Sequence, residues 1–222
     1  MKHLYILCEG WRDEVFYKRI CERVTGQEYE EQRELRLRHG SNWKSAMANA
    51  KLLLGRYKHI RGQQDICAII AIDNDRAPAH PGAKPPSRTL PKSDLKKQPR
   101  HPALVQMVEG FLGADRTKWP IDVALAVPVE MIESWVLLLW NPDRPDLPLF
   151  SEASQPSARE YHGGHARPQL KDLCKAEAET KNLTLDTFFT ESTDKDLANA
   201  TAASASLNMF IEELRQWRKP PN

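Results

Sequence analysis

Short apolar runs and longer segments with helical periodicity alternate along most of this chain. Strands are predicted for four runs of apolar or alternating residues, at 2–8, 34–38, 66–72 and 123–127. Helices are predicted where apolar residues recur with helical spacing, at 13–24, from Ser41 or Asn42 to about Tyr57, and at 130–140, 168–180 and 204–218. Strands that alternate with helices are typical of an α/β fold. We therefore predict a Rossmann-like, mostly parallel sheet flanked by helices, with a C-terminal helical extension.

Two proline-rich stretches interrupt this pattern. Between Arg76 and Pro102 the chain has seven prolines and seven Lys or Arg residues against a single acid, Asp94. Proline at this density prevents a packed helix or strand, so we predict a long exposed connection. A second irregular stretch covers 141–168. We predict a main α/β domain at 1–140 with a basic insertion at 76–102, and a loop and helical extension at 141–222 that packs on it.

Composition narrows the function only slightly. The 32 basic and 30 acidic residues almost cancel, so the overall charge does not identify a partner. The apolar runs are too short to span a bilayer and the N-terminus lacks a signal segment, so we expect no membrane association. The four cysteines have no close pairing, and three of them lie in apolar segments. Buried reduced thiols are therefore expected, which favours the cytoplasm.

Carboxylates follow two of the predicted strands directly. Glu9 follows the first strand and Asp13 comes in the first turn of the next helix, while Asp73 and Asp75 follow the strand at 66–72. The carboxyl ends of parallel strands meet at one edge of a sheet, where ligands bind. Clustered carboxylates repel one another unless cations compensate them, and oxygen ligands suit Mg²⁺. The pattern predicts a divalent-metal site, although helix capping explains Asp13 as well and a turn explains the aspartate pair.

Glu130 and Glu133 form a third acidic element, on one face of a helix that is otherwise apolar. Burying such carboxylates is costly unless a cation or hydrogen bonds receive them. The alternative is an exposed first turn in which the helix dipole favours acids.

Basic residues near these acids predict contacts with phosphate. Lysine and arginine displace the counterions of a nucleic-acid backbone, although a solvated insertion has the same composition. A lysine at the start of the helix at 168–180, Lys171, would neutralise charge on a phosphoryl oxygen or simply lie at the surface. Trp11 would stack on a base or pack in the core. The basic residues of the insertion are Arg76, Lys84, Arg88, Lys92, Lys96, Lys97 and Arg100.

The acidic motifs resemble those of a known family. Glu9-Gly10 with Asp13 after one strand, and Asp73-x-Asp75 after a later strand, resemble the Toprim domain of topoisomerases, primases, recombination proteins and OLD-type nucleases. The segment from Pro128 to Trp135 is similar to the PxExxExW segment of small stand-alone Toprim-like bacterial proteins, many of them in mobile or defence gene clusters.

This resemblance implies a metal-dependent nuclease with two Mg²⁺ or Mn²⁺ ions. Glu9 would act as a metal ligand or general acid/base and Asp73 and Asp75 as metal ligands. Asp13 with Glu133 or Glu130 would complete a second position, and Lys171 would match the basic residue of the OLD-type nucleases. It also implies a nucleic-acid substrate, DNA more than RNA, and a role in anti-phage defence. An ATPase partner is expected, since the chain has no GxxxxGK[ST] phosphate loop of its own.

Two other functions fit the same residues. One is a non-catalytic Toprim-like module that binds nucleic acid or an ATPase. The other is a receiver-like domain in which Asp73 accepts a phosphoryl group. A homo-oligomer is also compatible with the Trp- and Leu-rich segment after Trp135.

Overall fold

The structure, a computed structural model, describes residues 1–33, 43–59, 65–73, 100–128, 131–141, 166–194 and 196–217. The strands are β1 (Lys2–Leu7), β2 (Tyr29–Gln32), β3 (Ile66–Ala71) and β4 (Asp122–Ala126). The helices are α1 (Trp11–Thr25), α2 (Trp43–Tyr57), α3 (Arg100–Leu112), α4 (Ile132–Trp140), α5 (Ala166–Thr180), α6 (Leu185–Glu191), α7 (Leu197–Ala203) and α8 (Ala205–Arg215). Two short 3₁₀ turns are Arg116–Lys118 and Ser192–Asp194.

The four described strands form one parallel sheet in the order β2-β1-β3-β4. β3 is buried along its whole length, as expected for a central strand that is apolar on both faces. Helix α1 packs on β1, and α2 packs on β1 and β3. The predicted α/β class with a parallel sheet and flanking helices is therefore confirmed.

Some elements differ from the prediction. The second strand lies at Tyr29–Gln32, and the predicted strand at 34–38 is outside the described residues. β2 is an edge strand in which only Tyr29 is buried, so it has no alternating apolar pattern to detect. Helix α3 begins at Arg100, inside the stretch predicted as a connection, because proline at position 102 is tolerated in a first helical turn.

By its contacts the chain separates into two compact units. The first contains the described residues within Met1–Ile72, Pro102–Ala126 and Phe210–Asn222, and includes the sheet. The second contains the described residues within Asp73–His101 and Val127–Met209. Helix α4 belongs to the second unit, and the domain boundary predicted at residue 140 stays a prediction.

Helix α4 forms the core of the second unit. It packs against α5, α7 and the 3₁₀ turn Ser192–Asp194. Trp135 is fully buried, and its Nε1 donates to Ser206 Oγ at 3.0 Å. Ser204 and Ser206 are also buried.

All four cysteines lie in the described residues as buried thiols, and none forms a disulfide. None of the described helices combines the length and apolar character required to cross a bilayer.

Glu213 of α8 contacts β4, an edge strand of the described sheet. Its Oε2 accepts a hydrogen bond from the Leu125 amide of β4 at 2.7 Å, and Arg116 pairs with its Oε1 at 3.2 Å. The carboxylate therefore takes the place of a neighbouring strand's carbonyl at this position. Burial raises the pKa of Glu213 above its ordinary value, while Arg116 and the Leu125 amide oppose that rise.

We expect the stability of the protein to reflect this buried acid. The unfolded state ionises near pH 4.5 and the folded state only at higher pH, so the free energy of unfolding falls as pH rises through this window. The E213Q variant retains an acceptor for Leu125 but cannot ionise, so it will lack this decrease. Melting temperatures of both proteins from pH 4 upward, at about constant ionic strength, test this. Identical pH profiles would contradict it.

Candidate functional site

Glu9 lies in the tight turn that joins β1 to α1. The turn ends at Gly10, whose backbone is extended and whose carbonyl accepts the Glu14 amide at 3.3 Å as the helix begins. Cys8 Sγ donates to the same carbonyl at 3.1 Å. Glu9 is half-buried and lies just beyond the carboxyl end of β1, an inner strand of the described sheet.

Asp13 folds back from the first turn of α1 onto this turn. A Cβ added at Gly10 would lie 3.3 Å from Asp13 Oδ2, which is tighter than ordinary van der Waals contact. Glycine at position 10 therefore permits the close approach of the Asp13 carboxylate. The Asp13 carboxylate therefore lies beside the turn that carries Glu9, and a shared metal role stays a prediction.

The pKa of the Cys8 thiol is affected by several negative charges near this turn. Burial raises the pKa of the Cys8 thiol well above its usual value, and the charges of Asp13, Glu14 and Glu9 raise it further. Three carboxylates thus act on one buried sulfur. A cation bound near them would relieve their mutual repulsion.

Glu14, which was not predicted as a site residue, is a further acid at this turn. It is only 5 % exposed, whereas a glutamate in a first helical turn is normally solvated. Its position in the sequence is that of an ordinary acid favoured by the helix dipole, so only burial distinguishes it.

Asp73 follows Ile72 at the end of β3 and accepts a hydrogen bond from the start of another helix. Its Oδ1 accepts the Ile132 amide of α4 at 3.2 Å, while the N-cap residue of that helix, Met131, has an apolar side chain. Asp73 therefore caps α4. This role is compatible with metal binding, because carboxylates that hold metals are commonly held in place by a hydrogen bond of their own.

We expect the capping role of Asp73 to be measurable as stability. D73A removes the acceptor for Ile132 and the favourable charge at the helix N-terminus, and should lower the free energy of unfolding by about 1 kcal/mol. D73N retains an acceptor oxygen, so its loss should be smaller. Urea unfolding of the three proteins gives both values, and equal stability of D73A and wild type would exclude the cap.

Glu133 lies in the first turn of α4, half-buried, with its Oε2 shielded from solvent. Its carbonyl accepts a weak hydrogen bond from Cys174 Sγ at 3.7 Å, a contact between α4 and α5. Leu170 and Cys174 form part of the buried stripe of α5, and Lys171 beside them is exposed. Contact of Lys171 with a phosphate stays a prediction.

Several predicted site residues lie outside the described residues. These are Asp75, Glu130, Arg76, Lys84, Arg88, Lys92, Lys96 and Lys97. Arg100, predicted in the same basic connection, is instead the first residue of α3. Among the residues that the structure describes, no three or more His, Cys, Asp or Glu side chains are grouped as a metal site.

The strand order places the carboxyl ends of β1 and β3 side by side within the first unit. β1 and β3 are parallel neighbours, with Leu7 paired to Ile70. From β1 the chain goes to β2 on one side, and it then crosses to β3 on the other side. The carboxyl ends of β1 and β3 therefore form the topological switch point of the sheet, where open α/β sheets bind their ligands.

Comparison of the chain with protein-family models, with curated proteins and with solved structures gave no match.

Proposed function

We propose that this chain is a Toprim-like nuclease that hydrolyses phosphodiester bonds in nucleic acid with Mg²⁺ or Mn²⁺. The observation that carries the proposal is the strand order. Glu9 and Asp73 come two residues after the last residues of β1 and β3, the strands that flank the switch point, at which an open parallel sheet binds ligands.

The donor set fits a hard divalent cation. Glu9, Asp13 and Asp73 offer only carboxylate oxygens, the ligands that Mg²⁺ prefers. In this proposal Asp75 and Glu133, or Glu130, supply further oxygens. Two bound ions would activate a water molecule and stabilise the leaving oxygen.

Cationic side chains complete the proposed machinery. Lys171 and the basic residues of the insertion would contact the phosphates on either side of the scissile bond, where positive charge replaces released counterions. The exposure of Lys171 is compatible with such a contact. In line with the resemblance, the proposal includes a cytoplasmic role in anti-phage defence and an ATPase partner.

Metal binding tests this proposal without relying on activity. A ligand that binds only the folded state raises its melting temperature, so millimolar Mg²⁺ or Mn²⁺ should stabilise the wild-type protein. E9Q removes a proposed ligand and should abolish most of the rise. E28Q is the matched control, because Glu28 is exposed and directly precedes β2 at the opposite edge of the sheet. An equal response of E9Q and wild type would count against the site.

A further inference from the structure

Trp11 is the first residue of α1 and follows the turn that carries Glu9. It is 56 % exposed, and among the described residues the only other large apolar side chains classed as exposed are Met1 and Leu52. The sequence left open whether Trp11 packs in the core or stacks on a base. Its exposure excludes a core role, so this large aromatic surface at the helix start has no structural explanation in packing.

A cation accompanies the Trp11 ring. The Arg12 guanidinium carbon lies over the ring, 5.1 Å from its centroid. The same pairing recurs at the start of α2, where Lys44 Nζ lies 5.8 Å from the centroid of the Trp43 ring. Trp43 is partly exposed and Lys44 is exposed. Two helices of the first unit therefore begin with an aromatic residue and a neighbouring cation.

Both pairs belong to the carboxyl edge of the sheet. α1 follows β1 after a tight turn, so it begins at that edge. α2 packs on β1 and β3, and its C-terminus precedes β3 by a short connection, so the helix descends from the same edge. The aromatic surfaces lie at the edge at which Glu9 follows β1.

This combination of groups suits one class of ligand. Nucleobases stack on exposed aromatic rings irrespective of sequence, and adjacent cations attract the phosphates between them. A duplex keeps its base faces inside the stack, so only unpaired bases can use such surfaces. Exposed aromatic residues beside cations therefore favour single-stranded nucleic acid over double-stranded nucleic acid.

We infer that Trp11 with Arg12, and Trp43 with Lys44, bind unpaired bases and the phosphates beside them, so that the protein prefers single-stranded nucleic acid. The inference rests on the proposed function in one respect: the bound single strand is taken to be the substrate of the proposed site at Glu9.

Binding of a fluorescently labelled single-stranded DNA of mixed sequence tests the inference. Anisotropy is measured with Ca²⁺ in place of Mg²⁺, and the strand is checked for integrity on a gel. Wild type should bind the single strand more tightly than the duplex of the same sequence. W11A should weaken single-strand binding about tenfold, and W11F should retain most of it. L52A is the matched control, because Leu52 is also exposed and its removal should change nothing.

An abasic strand of equal length separates stacking from charge. Wild type and W11A should bind it equally, because both retain the same cations and it offers no bases. Unchanged binding of the mixed-sequence strand by W11A, or equal weakening by L52A, would overturn the inference. If only this inference fails, E9Q will still lose cleavage and the metal response. If only the proposed function fails, wild type will still prefer the single strand and W11A will still weaken that binding, although neither cleavage nor a metal response is observed.

Discussion

D73N is expected to abolish cleavage of nucleic acid while leaving the protein folded. Asparagine retains an acceptor for the Ile132 amide, so helix α4 stays capped. The substitution removes the negative charge through which the proposed site would hold a divalent cation, and a loss of at least about 100-fold in rate is expected. Cleavage of plasmid, single-stranded DNA and tRNA in Mg²⁺ or Mn²⁺ measures it.

The controls distinguish this function from its alternatives. E9Q should lose cleavage as D73N does, whereas E28Q should cut at the wild-type rate. Undiminished cleavage by D73N would refute the proposed role of Asp73. A wild-type protein that binds nucleic acid but has no metal response would favour the non-catalytic module. Phosphate retained on Asp73 after incubation with a small phosphoryl donor would favour the receiver-like alternative.

W135A is expected to produce the largest loss of stability of any substitution considered. Trp135 is fully buried in the second unit, and its truncation removes a large apolar surface and leaves a cavity. The expected cost is about 3–5 kcal/mol, a large fraction of the roughly 5–15 kcal/mol that stabilises an ordinary protein. Urea unfolding followed by circular dichroism measures this change.

Two milder variants divide that effect into packing and hydrogen bonding. W135F retains much of the ring volume but loses the donor to Ser206 Oγ. S206A removes this acceptor and the contact of Ser206 Oγ with Ser204 Oγ, and it should cost about 1–3 kcal/mol because buried polar groups lose a partner. A loss of less than about 1 kcal/mol in W135A would show that this helix is not the core of its unit.

The strongest sequence signals were those of buried, regular elements. β1, β3 and β4 were predicted to within one or two residues, because strands buried on both faces are continuous apolar runs. Helices with a long apolar stripe were also predicted, α1 to within two residues and α8 to within three. β2, α6 and α7 are short or largely exposed, and periodicity over so few residues carries little information.

The acids at the strand ends were also a property of the sequence. Glu9 and Asp73 stand out because a polar side chain follows an apolar run directly, and this depends on neighbouring residues alone. The sequence therefore determined the α/β class, the strands that end in carboxylates and the oxygen-rich chemistry of the candidate site.

Only the tertiary structure decided which strands are neighbours and what surrounds each acid. The order β2-β1-β3-β4 made the ends of β1 and β3 the switch point, and the cap from Asp73 to α4 spans 59 positions. The burial of Glu14 and Glu213 and the exposure of Trp11 likewise depend on packing. Local periodicity reports which side of an element is apolar, whereas pairing, capping and burial arise from contacts between residues far apart in the chain.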